Sequence, residues 1–434
     1  MIPTPLSNPR RDRLPGRSAK PESAATCRLE RTHSRCHPER GLCAKDLNRP
    51  AQHHPTCDAL FLRERRSLLT DRLLPSAPGC KFAHPLFLFY LLFSIFFLAG
   101  CQKPQPSLNL LVWEGYADPS FVQSFEQSHH CKVTASYLGS SDDLVAKLLG
   151  GSASNYDVIS PSSDVATSIT RAGLAEPLDL TKIPTYNQLS PKLRDLTLVK
   201  QNNQTFGVPF MWGPNPLLYD TTAFKQPPDS WSIFWDPKYK NKISVWDDLS
   251  TLYMAAQLLG YDKPDPSHLY NLSDDELAAI KQKLLALKPN LRKLWSTGGE
   301  LSNLFQNHEI IAAMGWPLMT NQLRQSNFPI AEIIPKENTT GWIDHLMITK
   351  ASRNKELAYV FLEFMIQAQT QKKITDVTHY TPANPAAAQF MTDAEKKGLH
   401  LDDPDAYMQR IYFWQDVPHR AKYIEIWNEV KAAQ

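Results

Sequence analysis

Two hydrophobic periods alternate along the chain after residue 107. Short runs of apolar or alternating positions predict β-strands, and stretches with apolar residues three or four positions apart predict helices. In chain order the pattern predicts strand Leu108–Trp113, a helix from Pro119 to Ser128, strand Lys132–Tyr137, helix Asp142–Leu149, strand Tyr156–Ser160 and a helix from Ser162 or Ser163 to Arg171. This β-α-β-α-β-α order predicts a parallel sheet with helices on both faces and ligand sites in the loops after the strands.

A second α/β unit follows a stretch rich in proline and glycine. Residues 206–215 have the composition of a crossover rather than of a regular element, and Thr381–Asn384 interrupts the pattern again. Ser273 and Glu276 form a capping box, which fixes the start of one helix. Between and beyond these points the pattern predicts strands Lys242–Trp246, Ile310–Met314, Ile330–Ile334 and Trp342–Thr349, and helices Thr251–Leu259, Ser273–Leu287, Glu300–Gln306 and Lys355–Gln367.

The front of the chain differs in composition from the rest. Residues 1–81 carry 16 Lys and Arg against 8 Asp and Glu, which leaves 31 basic and 36 acidic residues in the remainder. Cysteines and histidines are frequent there, but the closest cysteine pair, Cys36 and Cys43, lacks the tight spacing of a zinc module. Residues 1–80 are either a disordered extension or upstream sequence translated from a misplaced start. We favour the second interpretation because a signal sequence follows them.

That signal sequence is an uncharged, almost entirely apolar run, Leu86–Ala99, which follows Lys81. It is short for a membrane span of about 20 residues but has the length of a signal-peptide core. Its end, Leu98-Ala99-Gly100-Cys101, resembles the bacterial lipobox, in which the cysteine thiol takes a diacylglycerol before cleavage. We therefore predict a lipoprotein signal peptide over residues 81–101 and a protein anchored through Cys101 to a bacterial membrane in the periplasm. An ordinary membrane anchor that ends in cysteine is the alternative.

The mildly acidic body of the chain contains no motif of a known enzyme class. Its charge argues against nucleic acid as a partner. The chain lacks Gly-x-Ser-x-Gly, P-loop, dinucleotide-binding and His-Glu-x-x-His patterns. We interpret His129 and His130 as solvated and Cys131 as a buried, unpaired thiol. No catalytic residue, cofactor or metal is expected, and the protein is not predicted to be an enzyme.

Aromatic residues stand beside carboxylates at several predicted strand ends and loops. Aromatic faces attract a cation by roughly 0.5–2 kcal/mol each, and carboxylates accept its N–H bonds with charge assistance. A cleft that combines both suits an ammonium group on an apolar chain. The clusters of this kind, some with a carboxylate and some without, are Trp113-Glu114-Gly115-Tyr116, Trp246-Asp247-Asp248, Gly315-Trp316-Pro317, Trp342-Ile343-Asp344 and Trp414-Gln415-Asp416.

At these residues the body of the chain resembles the spermidine/putrescine-binding proteins of bacterial ABC importers. The order of the motifs is that of the family, and they cover nearly the whole chain after residue 107. The matching stretches are Val112-Trp113-x-x-Tyr116, Tyr156-Asp157-Val158-Ile159-x-Pro161-Ser162, Val208-Pro209-Phe210-Met211-Trp212-Gly213, Leu287-Lys288-Pro289-Asn290-Leu291-Arg292, Gly315-Trp316, Ile334-Pro335-Lys336-Glu337, Trp342-x-Asp344, Tyr380-x-Pro382-x-Asn384 and Trp414-Gln415.

The resemblance implies a type II periplasmic binding fold. Its two α/β lobes, each a mainly parallel sheet flanked by helices, would be joined by a hinge and close over the ligand. Lobe 1 is expected over residues 107–213 plus 342–382, and lobe 2 over residues 214–341 plus 383–434. The implied partners are a small cationic amine such as spermidine or putrescine, an inner-membrane permease and its ATPase, and the chain is expected to be a monomer.

The resemblance also assigns ligand contacts to individual positions. The residues at the family's contact positions are Trp113, Tyr116, Ser162, Trp316, Trp342, Asp344, Tyr380 and Gln415, with Asp248 at a further acidic position. Expected acids are replaced by Gly115, Thr251 and Met319. We take Glu114 as a tenth contact, on the interpretation that the carboxylate of position 115 has moved by one position.

With an expected carboxylate missing, a longer polyamine, a monoamine or an amino-acid-like solute are alternatives to putrescine. Two other classes of function are alternatives to delivery of a solute to an importer. A solute-sensing or adhesive lobe that feeds a receptor is one of them. The other is a hydrolase or transferase on the same frame, for which Ser162 has no histidine nearby in sequence.

Overall fold

The computed structural model describes residues 105–433 of the chain. The segment 1–80 and the predicted signal peptide 81–101, with its lipidation site Cys101, lie outside the described residues. None of the helices within 105–433 combines the length and the apolar composition needed to cross a membrane.

The described range is a mixture of short strands and helices. The strands are β1 Ser107–Val112, β2 Lys132–Tyr137, β3 Val158–Ile159, β4 Lys200–Gln201, β5 Gln204–Thr205, β6 Val208–Pro214, β7 Leu217–Asp220, β8 Ile243–Trp246, β9 Leu291–Trp295, β10 Ala312–Met314, β11 Ile330–Ile333, β12 Thr339–Ile348, β13 Thr381–Pro382 and β14 Ile411–Phe413. The α-helices are α1 Pro119–His129, α2 Ser141–Leu149, α3 Ser163–Arg171, α4 Pro191–Arg194, α5 Ser250–Leu258, α6 Asp274–Leu287, α7 Gly298–Gln306, α8 Pro317–Gln325, α9 Lys355–Ile366, α10 Ala368–Thr378, α11 Asp393–Gly398, α12 Pro404–Met408 and α13 Arg420–Ala432.

The larger sheet has seven strands in the order β13-β6-β12-β3-β1-β2, with β14 paired to β12. Strand β1 runs parallel to β2 and to β3, as the alternating pattern of the first unit predicts. Four of the six residues of β1 are almost completely buried, on both faces of the strand, as is typical of a parallel sheet covered on both sides: Leu108, Leu110, Leu111 and Val112.

The smaller sheet has five strands in the order β11-β7-β10-β8-β9. Strand β8 lies between β9 and β10 and is parallel to both, whereas β7 is antiparallel to β10 and to β11. Antiparallel pairs also join β12 to β3 and β6, so both sheets are mixed rather than mainly parallel. The antiparallel pairs involve strands outside the simple β-α-β repeats, on which the expectation of parallel pairing was based.

The expectation that residues 206–215 form an irregular crossover was wrong. Val208–Pro214 is a fully buried strand that pairs with β12 and β13. The sheet tolerates its prolines because Pro209 stands where the pairing register with β12 shifts and Pro214 is the last residue of the strand. The proline content of residues 206–215 therefore led to the wrong prediction for a strand that pairs on both sides.

The chain leaves the larger sheet at Asn215, immediately after β6. The backbone N–H of Asn215 donates to the carbonyl oxygen of Thr340 at 2.9 Å, and its own carbonyl oxygen accepts from Thr339 Oγ1 at 2.6 Å. The outgoing and returning segments are thus hydrogen-bonded to each other. The lobe boundaries expected near this point stay a prediction.

Gly341 should be required where β12 passes between β6 and β14. Its paired residues are Pro214 and Phe413, and an added Cβ would overlap Ile411 Cγ2 and the carbonyl oxygen of Gly213. Because the overlap with Gly213 involves backbone, Gly341→Ala should lower the free energy of unfolding by about 1–3 kcal/mol or more.

Urea unfolding measures this effect. Gly299→Ala is the control, because an added Cβ at this helical position would meet no atom within 4 Å apart from its chain neighbours and its own helix backbone. That variant should be neutral or slightly stabilising. Equal stability of the two variants would contradict the expected crowding at Gly341.

Candidate functional site

A cavity lined mainly by aromatic side chains lies between the two sheets. Residues from both sheets and from the loops after their strands contribute to its wall, as is usual for α/β proteins. Its lining residues are Trp113, Ser162, Trp246, Trp316, Trp342, Asp344, Tyr380 and Trp414. The cavity volume is about 10 Å³, room for roughly one water molecule, so the side chains nearly fill it.

The indole rings of the cavity pack against one another. Trp246 lies at the centre of this group, with its ring centroid 4.8 Å from that of Trp316 and 6.0 Å from those of Trp113 and Trp414. Trp295 stacks on Trp246 from outside the cavity at 5.4 Å. On the opposite wall the rings of Trp342 and Tyr380 meet edge to face at 4.5 Å. Such packing fixes ring orientations and holds their faces in place.

Asp344 is the acidic residue of this cavity. Trp342 and Asp344 are two positions apart on β12, so both side chains project from the same face of the strand. The hydroxyl of Tyr116 donates to Asp344 Oδ2 at 2.5 Å, and the hydroxyl of Ser162 donates to Oδ1 at 2.5 Å. The residue is 3% exposed.

Burial dominates the ionisation of Asp344. Loss of water raises its pKa to about 7, the hydrogen bonds from Ser162 and Tyr116 lower it in part, and the charge of Asp164 raises it further. A carboxylate in this environment gains strongly from a cation placed beside it. The aromatic walls favour the same kind of ligand.

Six of the ten residues expected at the site line the cavity, and a seventh, Tyr116, contacts it through Asp344. The other three lie beside it. Glu114 Oε2 accepts a hydrogen bond from the backbone N–H of Gly298 at the start of α7, at 2.9 Å. Asp248 is buried two residues beyond Trp246 and accepts from the backbone N–H of Ser250 at 2.8 Å. Gln415 lines a separate groove of about 550 Å³, next to Trp414.

Two lining residues, Trp246 and Trp414, were not among the ten expected contacts. Both belong to the aromatic clusters that the sequence shows at strand ends, next to Asp247 and Gln415. Their position directly at or after a strand, Trp246 at the end of β8 and Trp414 after β14, was the signal that could have identified them.

Hydrogen bonds join elements of the larger sheet and its helices to elements of the smaller sheet and its helices. Trp246 Nε1 donates to the carbonyl oxygen of Gly139 at 3.0 Å. On another side Asn321 Nδ2 donates to the carbonyl oxygens of Asp376 and Val377 at 2.9 and 3.0 Å. Together with the contact between Glu114 and Gly298, these bonds tie the two halves of the cavity wall together.

Within residues 105–433, no group of three or more His, Cys, Asp or Glu side chains is placed to hold a metal ion. Ser162, whose hydroxyl would be the nucleophile of a hydrolase or transferase, donates to Asp344. The nearest histidine in sequence to that carboxylate, His345, is completely buried, and burial lowers its pKa to about 4. The side chains gathered here offer a buried carboxylate and aromatic faces.

The chain is similar to known proteins over most of this range. Residues 120–401 match the family model described as bacterial extracellular solute-binding protein. The spermidine/putrescine-binding periplasmic protein of Salmonella typhimurium is 26% identical over 344 residues, which cover 77% of this chain and 94% of the relative. The putrescine-binding periplasmic protein PotF of Escherichia coli K12 is 27% identical over 349 residues, which cover 76% and 92%.

Solved structures show the same fold. A putative spermidine/putrescine ABC transporter from Listeria monocytogenes aligns with a TM-score of 0.66 at 22% identity, over 76% of this chain and 99% of that one. The PBP MotA from A. tumefaciens B6 in complex with glucopine aligns with a TM-score of 0.63 at 17% identity, over 75% and 99%. The expected α/β fold of the type II periplasmic binding class is thereby confirmed.

Asp344 should make the stability of the ligand-free protein depend on pH. Its pKa is about 7 in the folded protein, whereas an unfolded chain gives about 3.9. The folded state holds this proton more tightly, so the free energy of unfolding should fall as the pH rises from about 4 to about 7. Asp344→Asn cannot ionise and should lose this part of the decline, at most on the order of 4 kcal/mol.

Urea unfolding at about pH 5 and about pH 8 tests this expectation. Asp229→Asn is the control, because that side chain is 77% exposed. The same pH dependence in the parent and in Asp344→Asn would show that Asp344 does not titrate in the expected range.

Proposed function

This chain belongs to the family of bacterial extracellular solute-binding proteins, and we propose that it binds a cationic amine of the polyamine class in the aromatic cavity. It would deliver this amine to the membrane permease and ATPase of an ABC importer. The relatives named for spermidine and putrescine support this choice of ligand.

The observation that carries the proposal is the position of Asp344. It is the acidic side chain among the eight lining residues, and the others are aromatic apart from Ser162. An ammonium group placed there would receive a charge-assisted hydrogen bond and the faces of several indole rings. An anion in the same place would lie beside an unneutralised carboxylate in a water-poor cavity, which is unfavourable. The chemistry therefore selects cations.

Ligand entry requires the cavity to open. A volume of about 10 Å³ is far too small for an alkylamine. We propose that residues 107–213 plus 342–382 form one lobe and residues 214–341 plus 383–434 the other, and that the lobes part to admit the ligand. The contacts of Glu114 with Gly298 and of Trp246 with Gly139 span this boundary and would break on opening.

A second candidate is an amine with one ammonium group, or an amino-acid-like solute. The specific observation in its favour is that the lining residues include one carboxylate, Asp344. The positions where the family would supply further acids do not do so here. Thr251 Oγ1 donates to the carbonyl oxygen of Trp246 at 2.7 Å, and Met319 is completely buried.

The ligand assignment is tested with putrescine, spermidine, butylamine, glutamate and glucose. A thermal-shift screen should show stabilisation by the amines only, since a ligand at about 100 times its Kd adds roughly 2.7 kcal/mol. Calorimetry with the best amine should then show binding weakened about ten- to a hundredfold in Asp344→Asn, which loses a charge-assisted bond.

Two tryptophan variants form a matched pair for this experiment. Trp316→Phe reduces an aromatic wall of the cavity and should weaken amine binding, whereas Trp235→Phe removes an indole that bonds to the carbonyl oxygen of Lys283 away from the cavity. Stabilisation by glutamate or glucose alone, or unchanged amine affinity in Asp344→Asn, would refute the amine assignment and leave membership of the family untouched.

We further propose that the protein is a monomer held on the periplasmic side of a bacterial membrane by lipid on Cys101. The apolar run 86–99 and the ending Leu98-Ala99-Gly100-Cys101 support this. Two or three acyl chains, at about 0.8 kcal/mol per buried CH2, would give stable anchoring. A solute-sensing role is the alternative to delivery, and a neighbouring permease and ATPase gene pair would favour delivery.

Processing at Cys101 predicts the mass of a chain that begins at an acylated cysteine. Protein extracted from membranes should begin at an acylated Cys101, and intact-mass analysis should find residues 1–100 removed. Cys101→Ala should abolish the acylated species. Peptides from residues 1–60 in the membrane-extracted protein would overturn this expectation.

A further inference from the structure

A second group of buried charges lies beside the aromatic cavity, next to Ser162 and Trp246. Asp164 stands in the first turn of α3, two residues after Ser162, and Asp248 stands two residues after Trp246. They are 5% and 6% exposed. Burial is the main reason that the pKa of Asp248 and that of Asp344 are raised, and the charge of Asp164 raises both further. The three carboxyl groups therefore lie within electrostatic reach of one another.

Arg420 supplies the positive charge of this group. Its Nε lies 2.7 Å from Asp142 Oδ1 and its Nη2 lies 2.9 Å from Asp164 Oδ2, with 16% of the side chain exposed. Arg420 is the first residue of α13, which packs on α6 beside the smaller sheet. Asp142 and Asp164 are the second residues of α2 and α3, the helices that follow β2 and β3 of the larger sheet. The guanidinium therefore connects a helix beside the smaller sheet with two helices that follow strands of the larger sheet.

The buried polar atoms around this ion pair are not all used. Among residues 105–433, Asp248 Oδ2 and the hydroxyl groups of Ser163, Ser250 and Tyr253 are buried without a hydrogen-bond partner. Nη1 and Nη2 of Arg420 are also without one, and Nη2 meets Asp164 as an ion pair only. Unused acceptors inside a protein are costly and are ordinarily matched to a donor. An ammonium group has three N–H donors, which three such oxygens could accept.

We propose that Arg420 is a built-in cation that competes with a second ammonium group of the ligand for Asp164 and Asp248. The inference rests on the proposed function, in which Asp344 takes the first ammonium. The fold already holds the guanidinium against Asp164, and its charge also acts on Asp248. An ammonium group would have to replace it at Asp164 and would be repelled by it at Asp248. Arg420 is thus a specificity-determining residue that reduces the advantage of diamines over monoamines.

Calorimetry with putrescine and butylamine measures this effect directly, because the two probes share a four-carbon chain and differ in one amino group. In Arg420→Gln the ratio of putrescine to butylamine affinity should rise about tenfold or more, the value of one charge-assisted bond. Lys336→Gln removes the same charge from a side chain that is 63% exposed and should leave the ratio unchanged.

A charge-neutral variant guards against loss of folding. If Arg420→Gln unfolds, the double variant Arg420→Gln/Asp142→Asn replaces it. The double variant removes one charge of each sign and keeps Asp164 and Asp248, so the ratio of putrescine to butylamine affinity should still rise. A role of Arg420 in folding alone would change both affinities equally.

An unchanged or smaller ratio in these variants, with amines still bound, would overturn the inference and leave the proposed function standing. No binding of any amine to the parent protein would overturn the proposed function itself.

Discussion

The placement of one carboxylate in a nearly dry aromatic cavity is the constraint on which the rest of the site depends. Asp344 loses most of its water on folding, and burial accordingly raises its pKa to about 7. Two hydroxyl groups offset part of this cost, that of Tyr116 from the loop after β1 and that of Ser162 from the start of α3. Each of these elements has to be positioned for Asp344 to be tolerated, so the site fixes the ends of several strands at once.

Strand β12 carries this constraint through the fold. It pairs with β3, β6 and β14, and it holds Gly341, Trp342 and Asp344 within four positions. The glycine allows the close approach of neighbouring strands, and Trp342 and Asp344 line the cavity. Packing in the sheet and chemistry in the cavity are therefore properties of the same short segment.

Much of this arrangement could be predicted from the sequence, because hydrophobic period is a local signal. Strand Lys132–Tyr137 has the predicted bounds, and the helix expected at Lys355–Gln367 ends one residue earlier. The resemblance assigned Asp344 and four aromatic residues that line the cavity with it as ligand contacts, and that role stays a prediction. The helices Ala368–Thr378 and Arg420–Ala432 were not predicted, and no local pattern indicates that Arg420 meets Asp142, which lies 278 positions away. Such long-range ion pairs depend on topology, which period and composition do not encode.

The packed indoles around the cavity also give the molecule an optical property. Trp246 lies within about 6 Å, between ring centroids, of Trp113, Trp295, Trp316 and Trp414. At such separations the excited states of neighbouring rings couple, so their near-ultraviolet circular dichroism and emission are properties of the group rather than of single residues. Any opening of the cavity changes the geometry of that group. If the cavity opens as proposed, the indole group would report that change spectroscopically without any added label.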